Sequence, residues 1–225
     1  VFAGSSERHD WDYLTKLAPK DGSVQLQKIT TQMGVLVLAG PKSREVLQKI
    51  TDTDLSNENF KWLTGKSINV GYAQAEALRV NFVGELGWEL HHPIEMQNYI
   101  FDELMKAGAE FDIKPFGIRA MDAMRLEKSY RLIPREMSIE YSALESGLDR
   151  FVKLDKDCDF VGKAALQAWQ ERGFVNSFVT LEVHDIDDAD ARGSEGIYSG
   201  GELVGRATSG GFGFRVNKSL ALGLV

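Results

Sequence analysis

The sequence has little cysteine and no excess of positive charge, and both absences narrow the function classes that remain. Cys158 is the only cysteine, so the chain cannot form an internal disulfide, which fits a reducing compartment. The formal net charge of −7 provides no global basic field for nucleic acid or an anionic membrane surface. No apolar run approaches the roughly 20 residues that span a bilayer. We therefore predict neither a nucleic-acid partner nor a membrane partner.

The first residue is valine, and both ends of the chain have the pattern of interrupted strands. Val1-Phe2-Ala3-Gly4 is typical of a strand that runs into a turn, and Ser219–Val225 stops inside a strand-like run. We therefore expect the chain to be an internal piece of a longer protein.

Hydrophobic spacing predicts an α+β fold with mixed antiparallel sheets and helices. The expected helices cover residues 6–17, a segment opened by Gly40-Pro41, and residues 95–107, 117–130 and 162–172. The expected strands cover residues 24–29, 34–40, 67–72, 77–83, 87–92 and 178–183, with short ones around 197–198, 203–204 and 220–225. Because only short strands between glycines follow Gly173, we predict a larger domain over residues 1–172 and a small all-β domain over residues 173–225.

The segment Val83–Leu90 places two carboxylates, a tryptophan and two glycines within eight residues. In a strand, Trp88 and Leu90 face one way and Glu89 faces the other. The pattern allows two interpretations: a hairpin with two solvated glutamates, or a carboxylate at the mouth of a pocket.

The helix expected at residues 117–130 carries charges at helical spacing. Arg119–Asp122 and Asp122–Arg125 are both i,i+3 pairs, which predicts a charged seam along the helix. Two interpretations remain: an exposed face with salt bridges that each contribute little, or, since the apolar face is narrow, a helix packed on several sides with its ions paired internally.

Other motifs lack the spacing that their chemistry requires. Gly210-Gly211-Phe212-Gly213 has no Walker lysine or serine, which favours a glycine-rich β-turn over a phosphate loop. The adjacent His91 and His92 point to opposite faces of a strand, and the acidic loop at residues 185–190 lacks EF-hand spacing. We predict no metal site, and we expect neither a hydrolase triad at Ser5, Ser6, His9 and Asp10 nor a nucleophile at Cys158, which lies between two aspartates.

Six segments in order resemble the glycine-cleavage T-protein (aminomethyltransferase) superfamily. The residues of these segments are most similar to those of the folate-binding half of dimethylglycine and sarcosine dehydrogenases. These segments are Leu38-Ala39-Gly40-Pro41, Gly84-Glu85-Leu86-Gly87-Trp88-Glu89, Gly117–Lys128, Leu144-Glu145-Ser146-Gly147-Leu148, Phe160–Leu166 and Thr208-Ser209-Gly210-Gly211. The resemblance implies a T-protein-like folate-binding fold, with folate in a central hole and a small β-barrel as the last lobe. It also implies that residues 1–172 lack the N-terminal part of the folate-binding domain and that the barrel at residues 173–225 is truncated.

The resemblance implies tetrahydrofolate binding and transfer of a one-carbon unit from a methylamine-type donor, which gives 5,10-methylene-tetrahydrofolate. Glu89 matches the family carboxylate that holds the pterin, and Tyr130 matches an aromatic residue that lines the folate site. Phe82 lies where many members have tyrosine, and Glu85 is a secondary candidate. The family arginine of this helix aligns with Met121; Arg119, two residues earlier and about 200° around the helix, is a further candidate contact.

The resemblance places the catalytic aspartate upstream of Val1, so we expect the chain alone to be inactive. FAD is expected only if a separate upstream domain exists, and a lipoyl carrier protein or a fused flavin dehydrogenase domain is the expected protein partner. We expect a cytoplasmic location, or the mitochondrial matrix if the source is eukaryotic. Two alternatives remain: a non-catalytic folate-binding module with an assembly or regulatory role, and an interaction domain that has lost the ligand.

Overall fold

The computed structural model describes residues 4–186 and 188–225, with Ser5 described by its backbone alone. The strand end expected at residues 1–3 and Asp187 of the acidic loop lie outside the described residues. The chain forms two compact units. The first unit runs up to Asn81 and continues over Glu85–Lys114; the second comprises Phe82–Gly84 and Pro115–Val225.

The first unit is a four-stranded antiparallel sheet with helices. Its helices are α1 (Glu7–Leu17), α2 (Ser43–Gln48) and α3 (Gln97–Gly108), with 3₁₀ turns at Gly4–Ser6, Ile94–Met96 and Ala109–Phe111. Its strands are β1 (Met33–Ala39), β2 (Gly65–Val70), β3 (Ala73–Leu78) and β4 (Gly87–Pro93), in the order β1-β4-β3-β2.

The core of the first unit lies on one face of this sheet. Alternate residues of the strands point into it, as the period of two requires. Together with α2 and α3 they form a single apolar cluster that includes Ile68, Val70, Ala75, Ala77, Trp88, Leu90, Val46, Leu47, Ile100 and Leu104. The opposite face of the sheet carries Val35 and Val37, which are both exposed. This open face is the surface on which functional residues of the first unit can lie.

The second unit combines two helices with a second antiparallel sheet. Its helices are α4 (Ile118–Leu126) and α5 (Lys163–Arg172), with a 3₁₀ turn at Asp149–Phe151. Its strands are β5 (Phe178–Val183), β6 (Gly196–Ser199), β7 (Glu202–Gly213) and β8 (Lys218–Leu224), in the order β5-β8-β7-β6. Leu126 of α4 packs with Leu220, Leu222 and Phe178. The predicted α+β class is confirmed, with a helix at each of the five predicted places.

Two strand predictions were wrong. Residues 24–29 alternate in sequence but form no strand, and all six are exposed; an alternating segment without a partner strand gains nothing from its pattern. The strand expected to run to Val83 ends at Leu78, where the Val80 amide donates to the Leu78 carbonyl at 2.8 Å and turns the chain.

The prediction of a glycine-rich turn at residues 210–213 was also wrong. These residues belong to the long strand β7 and pair with β8. A Cβ on Gly210 would meet the Ala191 backbone. Glycine is therefore required here for close backbone approach rather than for a turn.

Candidate functional site

Glu89 lies on the open face of the first sheet. Its neighbours Trp88 and Leu90 are fully buried in the core, whereas 26% of the Glu89 side chain is exposed. The predicted division of faces in this strand is confirmed. The carboxylate is therefore held by a rigid, fully packed strand while it remains accessible.

Apolar side chains flank Glu89 on both neighbouring strands. Val37 of β1 and Leu78 of β3 are its register partners. Val37 is 43% exposed, so part of the surface beside the carboxylate is apolar. Binding sites for flat heteroaromatic ligands combine such apolar contacts with a few placed polar groups.

One oxygen of Glu89 is already engaged on this face. Its Oε2 lies 3.2 Å from Nε2 of His91, which is two residues along the strand and therefore on the same face. Within the described part of the chain, Oε1 of Glu89 has no hydrogen-bond partner. The carboxylate is thus oriented by one bond and can accept further N–H donors.

Glu85 lies in the loop between β3 and β4, where backbone contacts fix its position. The side-chain amide of Asn81 donates to the Glu85 carbonyl, and the next carbonyl, of Leu86, accepts from Ser43 Oγ at 2.9 Å. A Cβ on Gly87 would collide with the Leu38 carbonyl, so the loop needs glycine where it meets β1. These contacts hold the loop that carries Glu85 in one defined conformation.

Tyr130, in the second unit, lies just beyond the end of α4. The Tyr130 amide donates to the Arg125 carbonyl at 3.0 Å and the Ser129 amide donates to the Leu126 carbonyl at 3.0 Å. Ser129 has a φ of 56°. The two hydrogen bonds and this left-handed serine together form a Schellman motif at the end of the helix. The helix expected to reach residue 130 therefore ends at Leu126.

Three anchors hold the segment that carries Tyr130. The Tyr130 carbonyl accepts from Arg125 Nη1 at 2.9 Å, and Ser129 Oγ bonds Thr180 Oγ1 at 2.6 Å. Arg131 donates to the Ser146 carbonyl at 2.8 Å and stacks over Phe178 at 4.0 Å; its partial burial lowers its pKa. The structure brings Tyr130 together with one predicted site residue, Phe82, with ring centroids 6.1 Å apart.

A buried ion pair supports this segment, and sequence reasoning found only half of it. Arg125 is fully buried and donates to Asp122 at 2.7 Å, to Glu136 at 3.3 Å and to Ser209 at 2.8 Å. Glu136, also fully buried, accepts from the hydroxyls of Thr208 and Ser209, each at 2.6 Å. The helical spacing indicated the Asp122 pair, but no local pattern connects Arg125 with residues 11 and 84 positions away.

Glu145 supports the second unit through a different set of bonds. Burial acts to raise its pKa, but hydrogen bonds from the Ser142 and Asn176 amides and side chains outweigh burial, so the pKa lies below the usual glutamate value. The Ser142 amide donates to Glu145 at 3.0 Å, while Ser142 Oγ accepts from the Glu145 amide at 3.1 Å. This reciprocal pairing is that of a capping box, and it joins the residue 142–147 segment to the start of β5.

Arg119 is separate from the other candidates of the second unit. It is exposed in the first turn of α4, and within the described residues it forms no ion pair. The predicted Arg119–Asp122 pair was therefore wrong, because the Asp122 carboxylate bonds Arg125 instead. Met121, which the resemblance aligns with a family arginine, is partly buried.

Among the described residues, no group of three histidine, cysteine, aspartate or glutamate side chains could hold a metal ion. In the same ranges, no helix has the length and apolar character needed to cross a membrane.

Two family models match the chain. Residues 1–156 match the GCVT N-terminal domain, and residues 176–225 match the glycine cleavage T-protein C-terminal barrel domain. The chain belongs to the glycine cleavage T-protein family. The family resemblance predicted from the sequence is confirmed.

Relatives of this family member include long proteins of which it covers only a part. Dimethylglycine dehydrogenase from Homo sapiens is 42% identical over 226 residues, which is 100% of this chain and 26% of that protein. The pyruvate dehydrogenase phosphatase regulatory subunit from Mus musculus is 30% identical over 221 residues, 96% of this chain and 25% of that protein. The chain thus spans about a quarter of the length of these curated relatives.

The fold is also that of a solved T-protein. The crystal structure of glycine cleavage system aminomethyltransferase T from Bartonella henselae superposes with a TM-score of 0.81 at 22% identity. The match covers 98% of this chain and 58% of that one. It shows the fold that the sequence resemblance implied.

Proposed function

We propose that the protein binds tetrahydrofolate and contributes to one-carbon transfer from a methylamine-type donor, giving 5,10-methylene-tetrahydrofolate. The observation that carries this proposal is the Glu89 carboxylate on the open face of the first sheet, in a chain that belongs to the glycine cleavage T-protein family. The resemblance assigns the catalytic aspartate to a segment before Val1. We propose ligand binding as the role of Glu89, and the resemblance gives the chemical step to that aspartate.

The chemistry of the Glu89 side chain fits a pterin. The edge of a pterin presents adjacent N–H donors, and a carboxylate can accept two such donors in parallel. The bond to His91 leaves Oε1 and further lone pairs of Glu89 available. Exposed Val37 beside the carboxylate offers apolar contact to a ring face.

In the second unit, Tyr130 and Phe82 are proposed as aromatic contacts of folate. The Schellman turn and the Arg125 bond fix the backbone of Tyr130, and its ring is only partly buried. A backbone that is already fixed reduces the conformational entropy lost when a flat ligand stacks on the tyrosine. Glu85 and Arg119 are proposed as secondary folate-binding residues.

The wider assembly is proposed from the relatives. Dimethylglycine dehydrogenase is a much longer protein in which this chain corresponds to about a quarter, which supports fusion to a flavin dehydrogenase domain that would hold FAD. A free-standing transferase that meets a lipoyl carrier protein is the other form of the same proposal. The first relatives are named mitochondrial, which supports the mitochondrial matrix for a eukaryotic source over the cytoplasm.

A second candidate function is a folate-binding module that regulates rather than catalyses. The observation that favours it is the 30% identity to a pyruvate dehydrogenase phosphatase regulatory subunit. Both candidates require folate affinity. They differ in turnover by the protein expressed with the flanking sequence of its reading frame.

Isothermal titration of tetrahydrofolate tests the proposal. Glu89→Gln keeps the shape of the side chain but removes its charge, so affinity should fall by about 1.5–3 kcal/mol, or roughly 10- to 150-fold. Glu95→Gln, an exposed change of the same charge after β4, is the matched control and should leave affinity unchanged. Equal affinities of Glu89→Gln and the unsubstituted protein would refute the pterin role of Glu89.

A further inference from the structure

Two arginines in the first unit share one neutral acceptor. Arg44 of α2 and Arg79, directly after β3, each donate from Nη2 to Oδ1 of Asn57, and both distances are 2.7 Å. An amide oxygen carries only a partial charge, whereas the guanidinium forks are built to bind a carboxylate or phosphate. The Asn57 oxygen therefore occupies a position that suits an anion.

No carboxylate neutralises this pair within the described ranges, where neither Arg44 nor Arg79 forms an ion pair. The nearby carboxylates are bonded elsewhere. Glu45 pairs with Lys42 at 3.1 Å, and Asp54 accepts from the Ser56 amide at 2.8 Å and from Asn59 at 2.6 Å. Among the described residues, neither arginine therefore has a carboxylate within ion-pair distance. The charge of Arg44 nevertheless acts on the adjacent Glu45, and Arg79 Nη1 donates to the Phe60 carbonyl at 2.5 Å.

The surroundings of the pair strengthen its field. Both guanidinium carbons lie 6.0 Å from the ring centroid of Trp88, which is fully buried. Of the six buried side-chain polar atoms without a partner in the described chain, three are donors of this cluster: Nε of Arg44, Nε of Arg79 and Nε1 of Trp88. Burial, followed by the charge of Arg44, lowers the pKa of Arg79. Charges act more strongly in such partly desolvated places than in water.

We propose that Arg44 and Arg79 form a binding site for an oxyanion, a phosphate or a carboxylate group, which replaces the Asn57 side-chain oxygen. Asn57 is exposed in the loop between α2 and β2, so its side chain can turn outward without disturbing the core. The ligand oxygens then accept from the Nη2 groups of both arginines. Trp88 forms the apolar floor behind them.

Titration of inorganic phosphate into the purified chain, with chloride as the ionic-strength control, tests the site. An exposed two-arginine site predicts a Kd on the order of 1 mM. Arg44→Gln should weaken phosphate binding by about tenfold or more, since it removes one charged donor. Asn57→Ala should tighten binding about threefold, since it removes the internal competitor. Lys114→Gln, an exposed change of the same charge in the same unit, should have no effect.

Two further titrations show whether the site prefers a carboxylate or a phosphate group. A short glutamate peptide and a phosphate monoester are titrated under the same conditions, and the tighter of the two identifies the class of ligand. Heat capacity and melting curves of each variant report whether it folds. The proposal is overturned if phosphate has no effect beyond that of chloride, or if folded Arg44→Gln binds phosphate as well as the unsubstituted chain does.

Discussion

Arg125→Met is expected to destabilise the second unit by about 3–5 kcal/mol, because it leaves the fully buried Glu136 without its cation. The bond to Asp122 contributes little to this figure, since the Asp122 side chain is 40% exposed. The loss comes from the Glu136 pair, the Tyr130 carbonyl and Ser209, which all lose a buried donor. Because these bonds form one network, their separate values do not add.

Urea unfolding of four variants measures this contribution: Arg125→Met, Glu136→Leu, the double variant of these two, and Arg119→Met as the control. Arg119→Met, an exposed position on the same helix, should change the unfolding free energy by no more than about 0.5 kcal/mol. In the double variant Arg125→Met/Glu136→Leu, the buried charge is also removed, so the cost should fall below the sum of the single variants by about 1–3 kcal/mol. Equal stabilities of Arg125→Met and Arg119→Met would refute the reasoning.

Two further predictions concern the second unit. The folded-state pKa of Glu145 is lowered, so its contribution to stability is present above the unfolded pKa and is lost as the pH falls through the folded value; the stability difference between the unsubstituted protein and Glu145→Gln should therefore shrink below about pH 4. Urea titrations between neutral and acidic pH would show this, and a difference independent of pH would contradict it. Gly147→Ala should cost about 1–2 kcal/mol for its φ of 65°, plus a clash with the Arg131 guanidinium. Gly162 also has a positive φ, but no atom lies within 4 Å of an added Cβ, so Gly162→Ala should be destabilised by backbone strain alone. Equal melting temperatures of the two variants would exclude the clash.

Local pattern predicted the elements of this fold better than their ends. The alternation around Glu89 was sufficient because Trp88 and Leu90 are large, apolar and fully buried on one face. The end of α4 was missed because a serine, rather than glycine, takes the left-handed position at Ser129. Its stabilising partner, Thr180, lies 51 residues away. Long-range partners of this kind leave no local signal.

The candidate site shows the same division. Glu89, Tyr130 and Phe82 were reached through a family resemblance, and the structure supplies what the sequence lacked: the Glu89–His91 bond, the Tyr130–Phe82 contact and the Glu136–Arg125 pair. The shared acceptor of Arg44 and Arg79 was also invisible in sequence, because Asn57 lies on a loop 22 residues before Arg79.

A structure of the protein with tetrahydrofolate tests the central claim most directly. We predict that the N–H edge of the pterin lies within about 2.7–3.2 Å of the Glu89 carboxylate oxygens. A pterin bound away from the open face of β4, with Glu89 bonded only to His91, would contradict the account.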